Sequence, residues 1–236
     1  MSLLAGRTAL VSGASRGIGL AICRVLAEDG ARVHALARDP EPAAGVARSS
    51  GGEIWAVDLA DDAAVWDAVD RLQEADGAPP DIVVACAGAF GLAPVAEVGV
   101  SEFDHMIAVN LRGTFLLYRA LLPALLARDA GDLVTIGSVS GRKAFPANGA
   151  YAASKYGQRG LHEVLVEELR GTGVRATLVE PAATDTSLWD PLDPDGDPDL
   201  PGRAAMLHAE DVAEAVRFAV TRPPHVRVPL LQIERG

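Results

Sequence analysis

Cysteine is nearly absent from this chain. Cys23 and Cys86 are its two thiols in 236 residues, and they form no CxxC unit. Two distant thiols make neither a disulfide framework nor a structural zinc site, so a reducing compartment, the cytoplasm, is expected. Positive charge is also short. Lys and Arg number 21 against 32 Asp and Glu, for a net charge of −11. Such a field repels phosphate backbones and anionic lipid, so neither nucleic acid nor a membrane is expected as a partner. Long apolar runs are missing. The greasiest segment, 115–127, is interrupted by Arg119 and Pro123, short of the ~20 residues that a spanning helix needs. Residues 1–6 lack the basic start and apolar stretch of a signal peptide. The five histidines, at 34, 105, 162, 208 and 225, show no ligand spacing, and no metal is expected. The alternating Asp193, Asp195, Asp197 and Asp199 lack the EF-hand spacing and its closing Glu. GxSxG is absent, and Ser12, Ser15 and Ser138 have no evident His/Asp partners, which argues against a hydrolytic triad. No repeat and no Ser/Gly linker divides the chain, so one domain over 1–236 is expected.

What is present is a regular alternation. Short, mostly apolar runs at 8–11, 32–36, 53–57, 81–85, 132–136, 174–179 and 228–233 read as strands covered on both faces. Between them, stretches at 19–28, 61–74, 101–128, 150–170 and 209–221 read as amphipathic helices. Seven strands alternating with helices predict an α/β fold, a doubly wound, Rossmann-type parallel sheet with helices on both faces. One break stands out at 185–202, where Pro191, Pro194, Pro198 and Pro201 lie among six aspartates. It follows the sixth strand, on the edge where such sheets bind ligands. The segment 185–205 therefore reads either as a flap over a cleft or as a solvated connector.

The first strand runs into Ser12-Gly13-Ala14-Ser15-Arg16-Gly17-Ile18-Gly19 and then a helix. Glycines there permit tight turning and close approach to a pyrophosphate, and free amides at the helix start face its oxygens. The spacing is GxxxGxG, not the generic GxGxxG. At the end of the second strand an NAD site wants an acid for the ribose 2′-hydroxyl. This strand ends in Arg38, with Asp39 one position on, in front of Pro40. Arg38, with Arg16 from the glycine loop, matches a 2′-phosphate instead. NADP(H) is therefore expected before NAD(H). Asp58, followed by Leu59, closes the third strand and either accepts from an adenine amino group or caps the next helix.

Tyr151 and Lys155 stand four residues apart in Tyr-Ala-Ala-Ser-Lys, on one helix face. A nearby ammonium favours a phenolate, which makes the pair a candidate general acid/base. Ser138 closes the fifth strand on the same sheet edge, where its hydroxyl either holds a substrate oxygen or caps a turn. Asn110, set between Val109 and Leu111, must find partners for its amide; a buried water or a neighbouring backbone group would serve. Leu92, Phe145 and Trp189 are placed by position to line a cleft.

With these residues in view, the chain resembles the short-chain dehydrogenases/reductases, in their compact single-domain branch, from Arg7 to about Glu234. The family's TGxxxGxG loop is matched from Ser12 to Gly19, with Ser for the opening Thr, and its adenine-pocket Asp-Leu by Asp58-Leu59. Its catalytic Asn, Ser, Tyr and Lys are matched by Asn110, Ser138, Tyr151 and Lys155. The resemblance implies NADP-dependent interconversion of a carbonyl and a secondary alcohol. Tyr151 would protonate the carbonyl oxygen, and Ser138 would hold that oxygen. Lys155 would bind the nicotinamide ribose and lower the phenol's pKa. Asn110 would keep a water linking Lys155 to solvent. Cofactor contacts are expected from Gly13, Ser15, Arg16, Gly17, Ile18, Gly19, Arg38, Asp58, Leu59, Ala87, Gly88, Asn110, Tyr151, Lys155, Pro181, Thr184 and Thr186. Two departures stand out. The family's Asn-Asn-Ala-Gly is here Ala85-Cys86-Ala87-Gly88, which removes two amides that would support the central sheet, and its Pro-Gly is here Pro181-Ala182. The Tyr-x-x-x-Lys spacing disfavours enoyl reduction, and no epimerase-like C-terminal domain is expected. A homo-oligomer, dimer or tetramer, is expected. Phe103, Ile107, Phe115 and Leu122 either face a twin or cover the chain's own sheet. The alternative to an enzyme is an NADP(H)-binding sensor with little catalysis.

Overall fold

A computed structural model describes residues 2–236. The strands of its main sheet are β1 (Thr8–Ser12), β2 (Arg32–Ala37), β3 (Ile54–Ala56), β4 (Ile82–Ala85), β5 (Gly131–Ile136), β6 (Val174–Pro181) and β9 (Leu230–Ile233). They pair in the order β3-β2-β1-β4-β5-β6-β9, all parallel. The order reverses between β1 and β4, and that crevice, at the strands' C-terminal ends, is the ligand site of a doubly wound sheet. A two-residue pair, β7 (Thr184–Asp185) with β8 (Leu207–His208), lies apart from the main sheet.

Side chains alternate across the sheet, and each face buries its own core. Leu10, Val83 and Leu133 point to one side, where α3 (Asp62–Asp76), α5 (Gly113–Arg128) and α6 (Gly149–Glu168) cover them. Ala9, Val11, Ile82 and Val84 point to the other, under α1 (Gly17–Glu28) and α7 (Ala209–Val220). The short α2 (Ala44–Ser49), between β2 and β3, was not expected from the sequence; its apolar content is mostly alanine.

The predicted helix over 101–128 is three pieces. α4 (Val100–Met106) leads into a π-helical turn, Ile107–Arg112, and then α5. Wider turns of this kind concentrate at functional sites, and this one carries Asn110. Along this segment Leu122 packs on the chain's own core, whereas Phe103 and Phe115 stay exposed. No helix among the described residues is long and apolar enough to cross a membrane.

The opposite sheet edge is locked by charge. Asp132, buried at the start of β5, takes a two-pronged contact from Arg175 (2.7 and 3.0 Å) and a third bond from Arg7 at 2.6 Å. Such forked pairs fix orientation as well as charge.

Candidate active site

The glycine loop leaves β1 and turns into α1. Gly13 has φ +69°, and a Cβ there would lie 2.6 Å from the Ala87 backbone. The loop is thus pressed against the end of β4, and only glycine fits. Gly17 opens α1 at φ +50°, where a Cβ would meet the Thr186 methyl at 2.9 Å. Gly19 is buried, with no room for a Cβ beside the Gly13 carbonyl. Ser15 is half-buried in the loop, and Ile18 packs on the core beneath α1. No side chain caps the start of α1, and its first turn holds no acid. Its free amides and positive dipole end suit an anionic group.

Arg16 is the N-cap residue of α1, and Arg38 follows β2; both are exposed and, among the described residues, neither makes an ion pair. Asp39 is exposed, its Oδ1 accepting from the Glu41 amide at 3.3 Å. Past β3, Asp58 accepts from the Ala60 amide through Oδ1, and Asp61, not Asp58, caps α3. Leu59 is buried under Gly113.

The missing Asn-Asn amides have a replacement. The Ser12 hydroxyl donates to the Val84 carbonyl (3.3 Å) and accepts from the amides of Cys86 (3.1 Å) and Ala87 (3.3 Å). One side chain therefore ties β1 to the end of β4, next to Ala87 and Gly88. Ala89 is held on both its amide (2.7 Å) and its carbonyl (2.9 Å) by the side chain of Asn110, which also donates to Ser154 Oγ at 2.9 Å.

Ser138, Tyr151 and Lys155 meet at the ends of β4, β5 and β6. Ser138 caps the turn Val139–Gly141 by accepting from the Ser140 amide, which leaves its own proton free to donate. Asn148, buried before Tyr151, donates to Ser140 Oγ and so steadies this turn. Lys155 is buried, with Nζ donating to the Ile136 carbonyl (2.9 Å) and to Gln158 Oε1 (2.8 Å). Burial pushes its pKa down to about 8.

The effect expected of Lys155 on Tyr151 is not found. Burial pushes the phenol up to about 12, and the group that partly offsets this is Ser138. Where so high a phenol titrates, Lys155 has already lost its charge, since its own pKa lies near 8; its Nζ lies over the tyrosine ring, 5.7 Å from the centroid. The Asn110 backbone has its own partners. Its carbonyl accepts from Gln158 Nε2 and Thr114 Oγ1, both at 2.8 Å, in the latter case from the start of α5, so it is the Gln158 amide that stands between Asn110 and Lys155.

Phe90 packs edge-on against Tyr151, with centroids 4.8 Å apart, and against Trp189, at 4.9 Å. Trp189 belongs to the 185–205 segment, which is fastened rather than loose. Arg203 bonds Asp185, the Thr186 carbonyl and Asp190 (2.6 Å), while its amide donates to Asp195 at 2.8 Å. Through Trp189 and Phe90 the segment thus packs on the Tyr151 side of the crevice. Pro181 ends β6, Thr184 is buried in β7, and Thr186 caps the turn that carries Trp189. Phe145 is exposed, with Lys143 over its ring.

Gln158, Ser154, Asn148 and Phe90 were not anticipated from the sequence. For Gln158 a signal existed: it follows Tyr151 by seven positions and Lys155 by three, and so shares their buried face.

The chain is similar to known proteins over most of its length. Residues 7–197 match the family model described as short chain dehydrogenase. An uncharacterized oxidoreductase of Staphylococcus aureus (strain USA300) is 32% identical, over 97% of this chain and 96% of its own. A metagenomic short-chain oxidoreductase solved in complex with NADP is 34% identical with a TM-score of 0.84, covering 100% of this chain and 99% of that one. An alcohol dehydrogenase from the archaeon Thermococcus sibiricus, complexed with 5-hydroxy-NADP, is 30% identical with a TM-score of 0.85, over 96% and 95%.

Proposed function

The chain belongs to the short-chain dehydrogenase family, and from that premise we propose that it interconverts a carbonyl and a secondary alcohol with NADP(H). The observation that carries the proposal is the Tyr151 phenol, with Ser138 beside it and Lys155 over its ring, on the sheet edge that bears the glycine loop. A nicotinamide dinucleotide bound there supplies the hydride.

The residues present suit that group. The uncapped start of α1, with Gly13, Ser15, Gly17, Ile18 and Gly19, takes the pyrophosphate. Arg16 and Arg38, without a carboxylate partner among the described residues, take the 2′-phosphate. Asp58 keeps Oδ2 for the adenine amino group, beside Leu59. Ala87, Gly88, Asn110, Pro181, Thr184 and Thr186 line the way to Tyr151 and Lys155. The NADP and 5-hydroxy-NADP held by the two similar structures support this cofactor.

Half-buried Tyr151 keeps its proton at neutral pH and can give it to a carbonyl oxygen that gains negative charge. Ser138 has its own proton free for the same oxygen. Lys155, charged below about pH 8, keeps one N–H for the ribose and stabilises charge near the phenol.

A carbonyl panel monitored by NADPH oxidation tests the reading. Wild type is expected to turn over at least one ketone or aldehyde, and Tyr151→Phe to lose about 10²–10⁴-fold. Full activity in Tyr151→Phe refutes the mechanism. Tight NADPH binding with no turnover across the panel favours the sensor.

A further inference from the structure

We propose that Gln158 is a positioning residue for Lys155, its amide coupling the lysine ammonium to the Asn110 carbonyl in the π-helical turn. The inference rests on the role given to Lys155 above.

Gln158 is 1% exposed and makes three bonds of 2.8 Å. Oε1 accepts from Lys155 Nζ, and Nε2 donates to the Asn110 carbonyl and to Thr114 Oγ1. The chemistry fixes the amide's orientation. A carbonyl only accepts and an ammonium only donates, so a flipped amide would set acceptor against acceptor and donor against donor. Thr114 gives its own proton to the same Asn110 carbonyl. The other end of Asn110, its side chain, holds Ala89 and Ser154. One buried network thus runs from the loop after β4, through the π-helical turn, to the lysine.

Lys155 Nζ has three N–H bonds. Ile136 and Gln158 take two of them through neutral oxygens. The position of the third is then fixed by these two, so losing Gln158 frees the ammonium to rotate and withdraws an acceptor that favours its charged form. No carboxylate compensates. The titratable neighbours are Tyr151 on α6 and Cys86 past β4, both held protonated by burial. On the elements packed against α6, Glu180 of β6 is paired with Arg142 and Arg159, and Arg112 of the π-helical turn with Asp62. Glu102, Asp104 and His105 of α4 are exposed.

The chain has only two lysines, Lys143 and Lys155. Isotope labelling of lysine therefore gives two side-chain NMR signals, with exposed Lys143 as the internal reference. The Lys155 signal is titrated in wild type, Gln158→Met, which is close in length but offers no acceptor, and Gln158→Glu. Expected is an upward move of the Lys155 midpoint by about one unit or more in Gln158→Glu, and a downward move in Gln158→Met. In turnover, Gln158→Met is expected to lower kcat about tenfold with little change in carbonyl KM, and the basic limb of the pH profile to follow the NMR midpoints. Folded variants whose Lys155 midpoint and pH profile match wild type would overturn the proposal and leave Gln158 as packing alone. If Gln158→Met does not fold, Gln158→Glu decides. Absence of turnover in wild type would end the proposed reaction, while the Lys155 titration would still judge Gln158.

Discussion

Arg38→Ala separates a phosphate site from a surface charge. Arg38 sits past the C-terminal end of β2, in solvent, with no carboxylate partner among the described residues. Its removal breaks no side-chain hydrogen bond or ion pair among the described residues, so its main effect should appear in cofactor binding. A hydrogen bond to a charged group contributes about 1.5–3 kcal/mol, and solvent screening at this corner argues for the lower end. At about 1.4 kcal/mol per tenfold, 1.5–2 kcal/mol weakens NADPH binding roughly 10–30-fold. NADH, which lacks the 2′-phosphate, should bind as before. Arg16→Ala should act in the same direction, and the double variant should lose less than the sum, since both guanidinium groups serve one phosphate. Arg38→Asp goes further, placing an acceptor for a 2′-hydroxyl where the phosphate was favoured, and should tip the preference to NADH. The assay is a cofactor fluorescence titration at low and high salt; the NADPH constant should weaken with salt more than that for NADH. Equal losses for both dinucleotides in Arg38→Ala, or none for NADPH, would refute the assignment.

Three other substitutions or conditions give distinct signals. Asp132→Ala strands the Arg175 guanidinium in the sheet floor and should cost about 3–5 kcal/mol, a fall of roughly 6–20 °C in Tm by thermal melt; an unchanged melt would remove the lock described for that edge. Burial holds His34 and His162 below their ordinary pKa, against a smaller opposing pull from Asp76 on His34 and from the Pro229 carbonyl on His162. The unfolded chain then binds more protons than the folded one, so stability should be full above about pH 6.5 and fall below it, by at most about 1.4 kcal/mol per unit for each histidine. Denaturant midpoints across that range check this, and His162→Gln should flatten the slope. Gly13→Ala meets the Ala87 backbone at 2.6 Å in a left-handed conformation, and should lose either folding or NADPH binding; wild-type behaviour in both would mean that the loop is free to shift.

Much of this arrangement was legible because periodicity reports burial. All seven main strands fall where apolar runs predict them, and their ends differ for local reasons. β9 begins at Leu230, not Val228, because Pro229 has no amide to donate. α1 begins two residues earlier, at Gly17, because the left-handed turn is itself the helix start. The order of Asn110, Ser138, Tyr151 and Lys155 marked the candidate catalytic corner, yet the bonds between its parts were not readable. Nothing in residues 107–112 distinguishes a π-helical turn from an α-helix, since 107–122 is apolar nearly all round and carries no phase for an extra residue to shift. The Ser12 clasp was hidden too: a serine before a glycine loop reads as a turn residue, and its reach to the backbone of β4 depends on strands 72 residues apart in sequence. The balance of burial and charge at Tyr151 needed coordinates, because spacing alone sets Lys155 near the residue but not over its ring.

The fastening of the 185–205 segment has a practical reach. Arg203 bonds only to groups of that same segment, so the segment carries its own clasp. Residues 187–202 can be varied within it while Asp185, Thr186 and Arg203 are kept as the frame. Substrate range, in such a design, is retuned by grafting one piece of chain.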